Sequence, residues 1–222
     1  MEIRPLIAPV VEIAADWLIV PVVEPVTIDG TLAAIDAKLS GTISRLKDQG
    51  DLTGKFASTV QLRAVTGIAA TRLLLLGLGK VADLTSGRLD RALTTAARAI
   101  SDKKDVKIAF AVPEAPIGSI SPAQFATAAS AAALVGSLGQ DLFRTERNRF
   151  AFADVALAGS AAIGDALATA VERGQILGDA VNLARDLVNR PPQEITPVGF
   201  AKRATEVAAQ FGLSIEVFEQ PR

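Results

Sequence analysis

The stretch Ile176–Phe200, ILGDAVNLARDLVNRPPQEITPVGF, joins a long helix to a double proline and then to a second helix. The first helix carries two apolar stripes at helical spacing. One stripe comprises Ile176, Ala180, Leu183 and Leu187, and the other comprises Leu177, Val181, Ala184 and Val188. Because apolar residues cover so much of this helix, we expect it to be wedged between two bodies. The stretch therefore predicts a domain junction.

The double proline fixes where the first helix ends. Pro191 and Pro192 each lack a backbone donor, and each disfavours helical geometry in the residue before it. Thr196 is then predicted to cap the next helix, with Pro197 at its first position.

The residues that follow predict the beginning of another domain. The second helix ends at Gly212, and a strand is predicted from Leu213 to Phe218. A helix and a lone strand cannot close a core of their own. We therefore expect the residues after about 192 to be the first unit of a domain that continues outside this chain. The helical positions predicted to face its core are Phe200, Ala204, Val207 and Phe211.

Several motifs together resemble one known family. At the junction they are NLARDLVN (182–189), Pro191-Pro192, Glu194 and Thr196-Pro197. Upstream they are LSGTISR (39–45), GDLTGK (50–55) and LLLGLGK (74–80), in the family's order. These segments resemble the M17 leucyl aminopeptidases over most of residues 30–219. Arg190 and Gln193 depart from the pattern, since a small residue and an Asn are more usual at those positions.

The resemblance implies a fold and a domain organisation. It implies an α/β domain built as a three-layer, macro-domain-like sandwich with a mixed sheet, followed by a long linker helix and the first helix-strand unit of a truncated second domain. The corresponding ranges are 1–160 for the N-terminal domain, 161–190 for the linker helix and 191–222 for the start of the catalytic domain.

The resemblance also implies a function for the parent protein. Family members use two divalent cations, Mn or Zn, to release N-terminal amino acids, preferably Leu-like ones, from peptides. The metal ligands and catalytic residues lie in the catalytic domain. We therefore expect no catalytic, metal or cofactor-binding residue in this chain, which alone should be inactive. The expected partners are its own catalytic domain, peptide substrate and further copies in a hexamer.

Composition narrows the alternatives. The 222 residues are 50% hydrophobic, which suits one full domain plus part of another, and the formal net charge is −1. A nucleic-acid partner is not expected, because no face or tail is strongly basic. Binding of nucleic acid through a local basic patch stays an open alternative. With no Cys and no His, any metal site here would need carboxylates and carbonyls. No signal peptide or membrane span is predicted, so the protein is expected to be cytoplasmic.

Strands alternate with amphipathic helices along the chain, which predicts an α/β sheet with helices on both faces. Pro21 lies inside the second strand and indicates an edge or a bulge there. The predicted strands are Ile3–Ile7, Trp17–Val23, Thr59–Val65 (with Val60, Leu62 and Ala64 inward), Leu73–Leu78, Val106–Val112 and Phe152–Ala158. The predicted helices are 31–47, Thr85–Ser101, one begun by the capping box Ser121–Gln124, and Ala161–Asn189.

Five features could carry chemistry, and each has a plainer interpretation that we favour. Gly77–Lys80 is interpreted as a strand-ending turn rather than an anion-binding loop, since it lacks the other residues of a nucleotide loop. Asp179 and Asp186 share a helix face, but charge pairing beside Arg185 is favoured over a metal site. Glu194 is expected to complement a helix N-terminus. Two charged runs are interpreted as solvated surface, the first rather than a recognition patch and the second rather than a contact with a partner subunit. The first comprises Asp102, Lys103, Lys104, Asp105 and Lys107, and the second comprises Asp141, Arg144, Glu146, Arg147 and Arg149.

One alternative function stays open. The chain could be a stand-alone macro-like binding module for a nucleotide, a nucleic acid or a protein partner. Its only support in the sequence is the segment Gly77–Lys80. No nucleophile–base pair is apparent, because there is no imidazole to activate a hydroxyl.

Overall fold

A computed structural model describes residues 1–139 and 145–218 of the chain. They divide into two compact units, Met1–Asn182 and Leu183–Arg222. The first unit is an α/β domain with a six-stranded sheet. The predicted ranges 1–160, 161–190 and 191–222 concern the domains of a longer protein and stay predictions.

The sheet of the first unit is mixed. Its strands are β1 (Glu2–Ile7), β2 (Trp17–Glu24), β3 (Thr59–Arg63), β4 (Arg72–Lys80), β5 (Lys107–Ala111) and β6 (Asp154–Gly159). Their order is β1-β6-β5-β2-β4-β3. All neighbours are parallel except β3, which runs antiparallel to β4 at one edge.

Helices cover both faces of this sheet, as predicted. They are α1 (Gly30–Lys38), α2 (Thr42–Asp48), α3 (Ser86–Ala99), α4 (Pro122–Ser137) and α5 (Gly164–Asn189). Residues from α1 and α2 form one apolar core with the sheet, and residues from α3, α4 and the first half of α5 form the other. The first unit is therefore a three-layer sandwich.

Strand β4 connects the two cores. Leu74 and Leu76 belong to the core beneath α3 and α4, whereas Leu73 and Leu75 belong to the core beneath α1 and α2. All four side chains are fully buried. A strand that is apolar on both faces is therefore interior, as its sequence predicts.

Strand β2 corrects one prediction about Pro21. The strand is not at an edge, because it pairs with β4 on one side and with β5 on the other. Its pairing with β5 ends at Ile19, so Pro21 lies where only β4 is a neighbour. The register also shifts between Val22 and Glu24, which is the predicted irregularity.

The predicted helix 31–47 is wrong as one continuous element. It is broken between α1 and α2, where Ser40 and Gly41 have φ values of +54° and +73°. Close packing does not explain Gly41, since a Cβ there would meet only the Arg45 side chain, at 3.6 Å. The glycine instead supplies the left-handed conformation that turns the chain.

The predicted strand from Thr59 to Val65 is also too long. Strand β3 ends at Arg63, and Ala64 is exposed with φ +54° instead of pointing inward. Val60 and Leu62 do pack on the core, as predicted.

Helix α4 begins at the predicted capping box. Gln124 donates its backbone N–H to Ser121 Oγ at 3.2 Å, and Ser121 donates its own to Gln124 Oε1 at 2.8 Å. Pro122 occupies the first helical position. Both reciprocal bonds are therefore present.

Helix α5 packs through a face that the apolar stripes do not include. None of its buried residues belongs to those stripes, and two of them are glycines. A Cβ on Gly174 would lie 2.4 Å from the Thr127 carbonyl oxygen, and one on Gly178 would lie 2.7 Å from a Leu134 methyl. The side-chain amide of Asn182 donates to the Leu134 carbonyl at 3.2 Å. Close approach to α4 therefore depends on those glycines. The buried residues of α5 are Leu167, Ala170, Val171, Gly174 and Gly178.

The second unit holds the end of α5 and helix α6 (Pro197–Phe211). Thr196 caps α6, accepting the Gly199 N–H at 3.1 Å, and Gly212 ends it with φ +65°. Both features match the sequence prediction. The strand predicted at Leu213–Phe218 is wrong, since these residues are in no strand. A strand requires a partner, and the described residues provide none there.

Candidate functional site

The polar centre of the junction is Arg190, one of the two departures from the family pattern. Its Nε donates to Asp186 at 2.9 Å, and its Nη1 donates to Glu194 at 2.8 Å. The hydrogen bonds that the Arg190 guanidinium donates, to Asp186 and then to Glu194, raise its pKa above the ordinary value. One side chain therefore joins the last turn of α5 to the loop after the double proline.

These contacts refine two predictions. Charge pairing of Asp186 is confirmed, but the partner in the ion pair is Arg190 and not the adjacent Arg185. Glu194 pairs with Arg190 too, while Thr196 caps α6 as predicted. The interaction of Glu194 with the helix N-terminus stays a prediction.

The carboxylates do not assemble a metal site. Asp179 is exposed on α5, while Asp186 is bound to Arg190. Within residues 1–139 and 145–218, no three acidic side chains form a group that could hold a metal ion. The donor set described does not fit a metal ion, so we derive no metal-dependent step from it. The expectation that this chain carries no catalytic or metal residue stays a prediction.

The segment Gly77–Lys80 is not a free loop. It forms the end of β4, and the amides of both glycines are already in use. Gly77 donates to the Ser58 carbonyl at 2.8 Å, and Gly79 donates to the Gly54 carbonyl at 2.9 Å. These donors cannot also bind phosphate, so the anion-binding interpretation is wrong. Glycine is needed at 77 for close approach, because a Cβ would lie 2.0 Å from the Lys55 carbonyl oxygen.

The two charged runs lie at the surface where the structure describes them. Lys103, Lys104 and Lys107 are exposed, and Lys104 Nζ lies 5.5 Å from the centre of the Phe150 ring. Arg149 donates to the Arg98 carbonyl at 3.4 Å. In the second run, Asp141 and Arg144 lie outside the described residues, whereas Glu146 and Arg147 are exposed.

Large apolar side chains on α5 and on α6 are largely exposed. In the first unit Ile176 is 64% exposed. In the second unit Val188 is 83% exposed, Phe200 53% and Phe211 65%. Phe200 and Phe211 were predicted to face a core, and within the described chain they do not. Exposed apolar side chains of this size mark a candidate interaction surface.

The first unit also has concave surfaces that could bind a ligand, among them a crevice and a groove. A crevice of about 590 Å³ lies beyond the carboxyl ends of β1, β5 and β6 and includes Glu114. A groove of about 790 Å³ runs over α4, between α3 and α5, with Asp90 and Arg173 among its lining residues. Burial raises the pKa of the Asp90 carboxyl.

The sequence matches a family model along much of the sheet domain. The model describes the N-terminal domain of the cytosol aminopeptidase family, and it matches residues 19–147. The chain belongs to the cytosol aminopeptidase family. The resemblance noted in the junction and upstream motifs is thereby confirmed, and this chain corresponds to the N-terminal domain of that family.

Relatives with curated names extend the match past the junction. A "Probable cytosol aminopeptidase" of Solibacter usitatus is 34% identical over 96% of this chain, which covers 41% of that protein. One of Geobacter sp. is 34% identical over 83% of this chain and 37% of its own length. The chain thus spans about two fifths of the length of these relatives.

Solved structures show the same fold. A tomato leucine aminopeptidase variant superposes with a TM-score of 0.75 at 23% identity, over 96% of this chain and 43% of that one. The bottromycin maturation enzyme BotP superposes with a TM-score of 0.69 at 24% identity, over 93% of this chain and 40% of that one. Among the described helices, none is both long and apolar enough to span a membrane.

Proposed function

We propose that this chain is the non-catalytic N-terminal part of a two-metal leucyl aminopeptidase. The longer protein would release N-terminal amino acids, preferably Leu-like ones, from peptides in the cytoplasm. Membership of the cytosol aminopeptidase family supports this proposal. The observation that carries it is that each unit has large apolar side chains left uncovered. They are Ile176 and Leu177 in the first unit and Val188, Phe200 and Phe211 in the second.

Burial of these apolar side chains against another domain would stabilise the longer protein. Fully burying one Val, Leu, Ile or Phe side chain is worth about 1.5–3 kcal/mol. Val188 and Phe200 alone would therefore contribute several times the thermal energy if a neighbouring domain enclosed them. We infer that the role of this part of the protein is to position the catalytic domain and to support a homohexamer.

The chemistry would be located outside this chain. Two divalent cations, Mn or Zn, would polarise the peptide carbonyl and activate a water molecule in the catalytic domain. The residues described here would contribute placement of that domain only. The expected partners are therefore the catalytic domain, peptide substrate and other subunits.

An activity assay on two chain lengths tests the proposal. The 222-residue chain, verified by intact mass at 23.1 kDa, is assayed with leucine p-nitroanilide in Mn²⁺ and in Zn²⁺. We expect no turnover above the buffer control, and we expect turnover from the longer protein under the same conditions. Turnover by the short chain, or none by the longer protein, contradicts the proposal.

The crevice favours a second candidate, a binding module for a nucleotide or a protein partner. In open α/β sheets ligands commonly bind beyond the carboxyl ends of the strands, and the crevice lies there. The charge of Glu114 disfavours a phosphate in this crevice. Isothermal titration of the 222-residue chain with ADP tests the nucleotide form of this module, which requires saturable binding that Thr31→Glu, in the crevice lining, weakens.

A further inference from the structure

Two arginines face each other across the antiparallel strand pair at the edge of the sheet. Arg63 on β3 is the direct register partner of Arg72 on β4. Like charges directly opposite each other destabilise a strand pair. We therefore expect another group to offset the repulsion between the two guanidinium charges.

Both guanidinium groups lie against one aromatic ring. The Arg63 and Arg72 Cζ atoms are 5.9 Å and 5.6 Å from the centre of the Trp17 ring. Trp17 is itself 5% exposed. Cation–π attraction holds the two side chains in place, but it leaves their positive charges uncompensated.

No acid of the described chain neutralises the pair. Within residues 1–139 and 145–218, neither guanidinium has a carboxylate oxygen within 4.0 Å. Arg63 donates only a long bond, at 3.4 Å, to the side-chain oxygen of Gln61. Asp16 lies on the same cavity, but it forms no ion pair with either arginine, and one of its oxygens accepts the Lys107 backbone N–H at 2.8 Å.

The arginines line a cavity of suitable size. Its volume is about 510 Å³, and Trp17 lines it as well. Cavities of about 300–1,000 Å³ are typical of small-molecule sites. Lys103 lines it too, so three cationic side chains meet two acidic ones, Asp16 and Asp102. The cavity therefore carries a net positive charge, in a protein whose formal net charge is −1.

We propose that this cavity binds a small molecule carrying a phosphate or carboxylate group, held between Arg63 and Arg72 beside Trp17. The fork of a guanidinium matches both groups, with two parallel N–H donors to two oxygens. The anion supplies the neutralising charge that the cross-strand pair lacks. This site is independent of the proposed aminopeptidase role, because it uses residues remote in sequence from the junction.

Trp17 provides a direct measurement, since it is the only tryptophan in the chain. Its fluorescence is followed while the 222-residue chain is titrated with sodium phosphate, sodium pyrophosphate and sodium succinate. Sodium chloride at matched ionic strength serves as the blank. We expect a saturable change with at least one of the three anions. Phosphate and pyrophosphate identify a phosphate site, and succinate identifies a carboxylate site.

Variants then assign the effect to the two arginines. Arg63→Gln and Arg72→Gln should each weaken apparent affinity about tenfold or more, since each removes a charge-assisted donor pair. Lys103→Gln, at the exposed rim, should weaken it less and keeps the test valid if a strand variant fails to fold. Arg98→Gln, at an exposed position of α3, is the matched control and should bind like the wild type.

Three results overturn the proposal. The first is a fluorescence change that sodium chloride reproduces. The second is a saturable change of equal affinity in Arg63→Gln, Arg72→Gln and Arg98→Gln. The third is a response to a single-stranded DNA oligonucleotide but to none of the three small anions, which would assign the patch to nucleic acid instead.

Discussion

The carboxylate of Asp36 accepts the backbone N–H of Ile43 at 2.7 Å, so an acidic side chain from α1 caps the start of α2. The same oxygen accepts the Ser44 N–H at 3.2 Å, and the second oxygen accepts the Ser44 hydroxyl. The residue at the cap position itself is Gly41, which has no side chain to offer. The donors that begin α2 therefore depend on a residue in the preceding helix.

Removing that acceptor should destabilise the first unit. Asp36 is only 7% exposed, so Asp36→Ala leaves two backbone donors and one hydroxyl unsatisfied near the core. We expect a loss of about 1–3 kcal/mol in the free energy of unfolding. Asp36→Asn keeps one acceptor oxygen and should lose less. Urea unfolding followed by circular dichroism measures both, and an Asp36→Ala variant as stable as the wild type contradicts the capping role.

Asp36 should also contribute to acid sensitivity. Burial raises the pKa of this carboxyl, but the hydrogen bonds from Ser44 and Ile43 outweigh it and leave the pKa below its ordinary value. A carboxyl of this kind stabilises the fold above its unfolded pKa of about 3.9, and the contribution is lost as pH falls through the lower folded pKa. The free energy of unfolding of the wild type should therefore exceed that of Asp36→Asn by a constant margin above about pH 5.

That margin should narrow as the pH is lowered further, because Asn does not titrate. Unfolding free energies of both proteins at pH 6, 5, 4 and 3 provide the comparison. A margin that stays constant down to pH 3 would show that the folded pKa is not lowered.

Glycines on α5 give a prediction that runs against helix propensity. Gly174→Ala places a Cβ 2.4 Å from the Thr127 carbonyl oxygen and 2.5 Å from the Ser130 Cβ. Overpacking of this kind costs about 1–3 kcal/mol, more than the roughly 1 kcal/mol that Ala gains over Gly in a helix. The variant should therefore melt at a lower temperature than the wild type.

Gly87→Ala is the matched control for this substitution. Gly87 lies in α3, and a Cβ there would meet nothing within 4 Å. We expect this variant to be as stable as the wild type or more so, by up to about 1 kcal/mol. If both alanine variants are stabilised, α4 and α5 do not depend on glycine for their approach.

The backbone elements of the first unit follow closely from sequence periodicity. Strand β4 and the capping box of α4 are examples, because each depends on residues adjacent in the chain. The family assignment followed from short motifs in order. The predicted helix 31–47 failed because helical spacing continues across Gly41, while the break depends on backbone conformation at Ser40 and on a contact from Asp36. The signal for this break that the sequence does contain is Gly41, since glycine commonly ends a helix.

The candidate sites were less predictable, because they depend on contacts between distant residues. Arg63, Arg72 and Trp17 are separated along the chain, and only the strand pairing brings them together. Arg190 was identified in the sequence only as a departure from the family pattern, although its fork joins Asp186 and Glu194. The packing glycines of α5 lie four residues apart, and that spacing was the available signal.

The junction surface gives a prediction that compares the same substitution in two chain lengths. Val188 is 83% exposed, so Val188→Lys should leave the melting temperature of the 222-residue chain unchanged. In the longer protein we expect the same substitution to lower the melting temperature and the rate of leucine p-nitroanilide hydrolysis, because a buried lysine charge would face the covering domain. Glu172→Lys, at an exposed position of α5 before the apolar stripes, is the control and should be neutral in both chains. If Val188→Lys is equally neutral in both lengths, the apolar face of α5 is not an interdomain surface, and the placement role proposed for this chain fails.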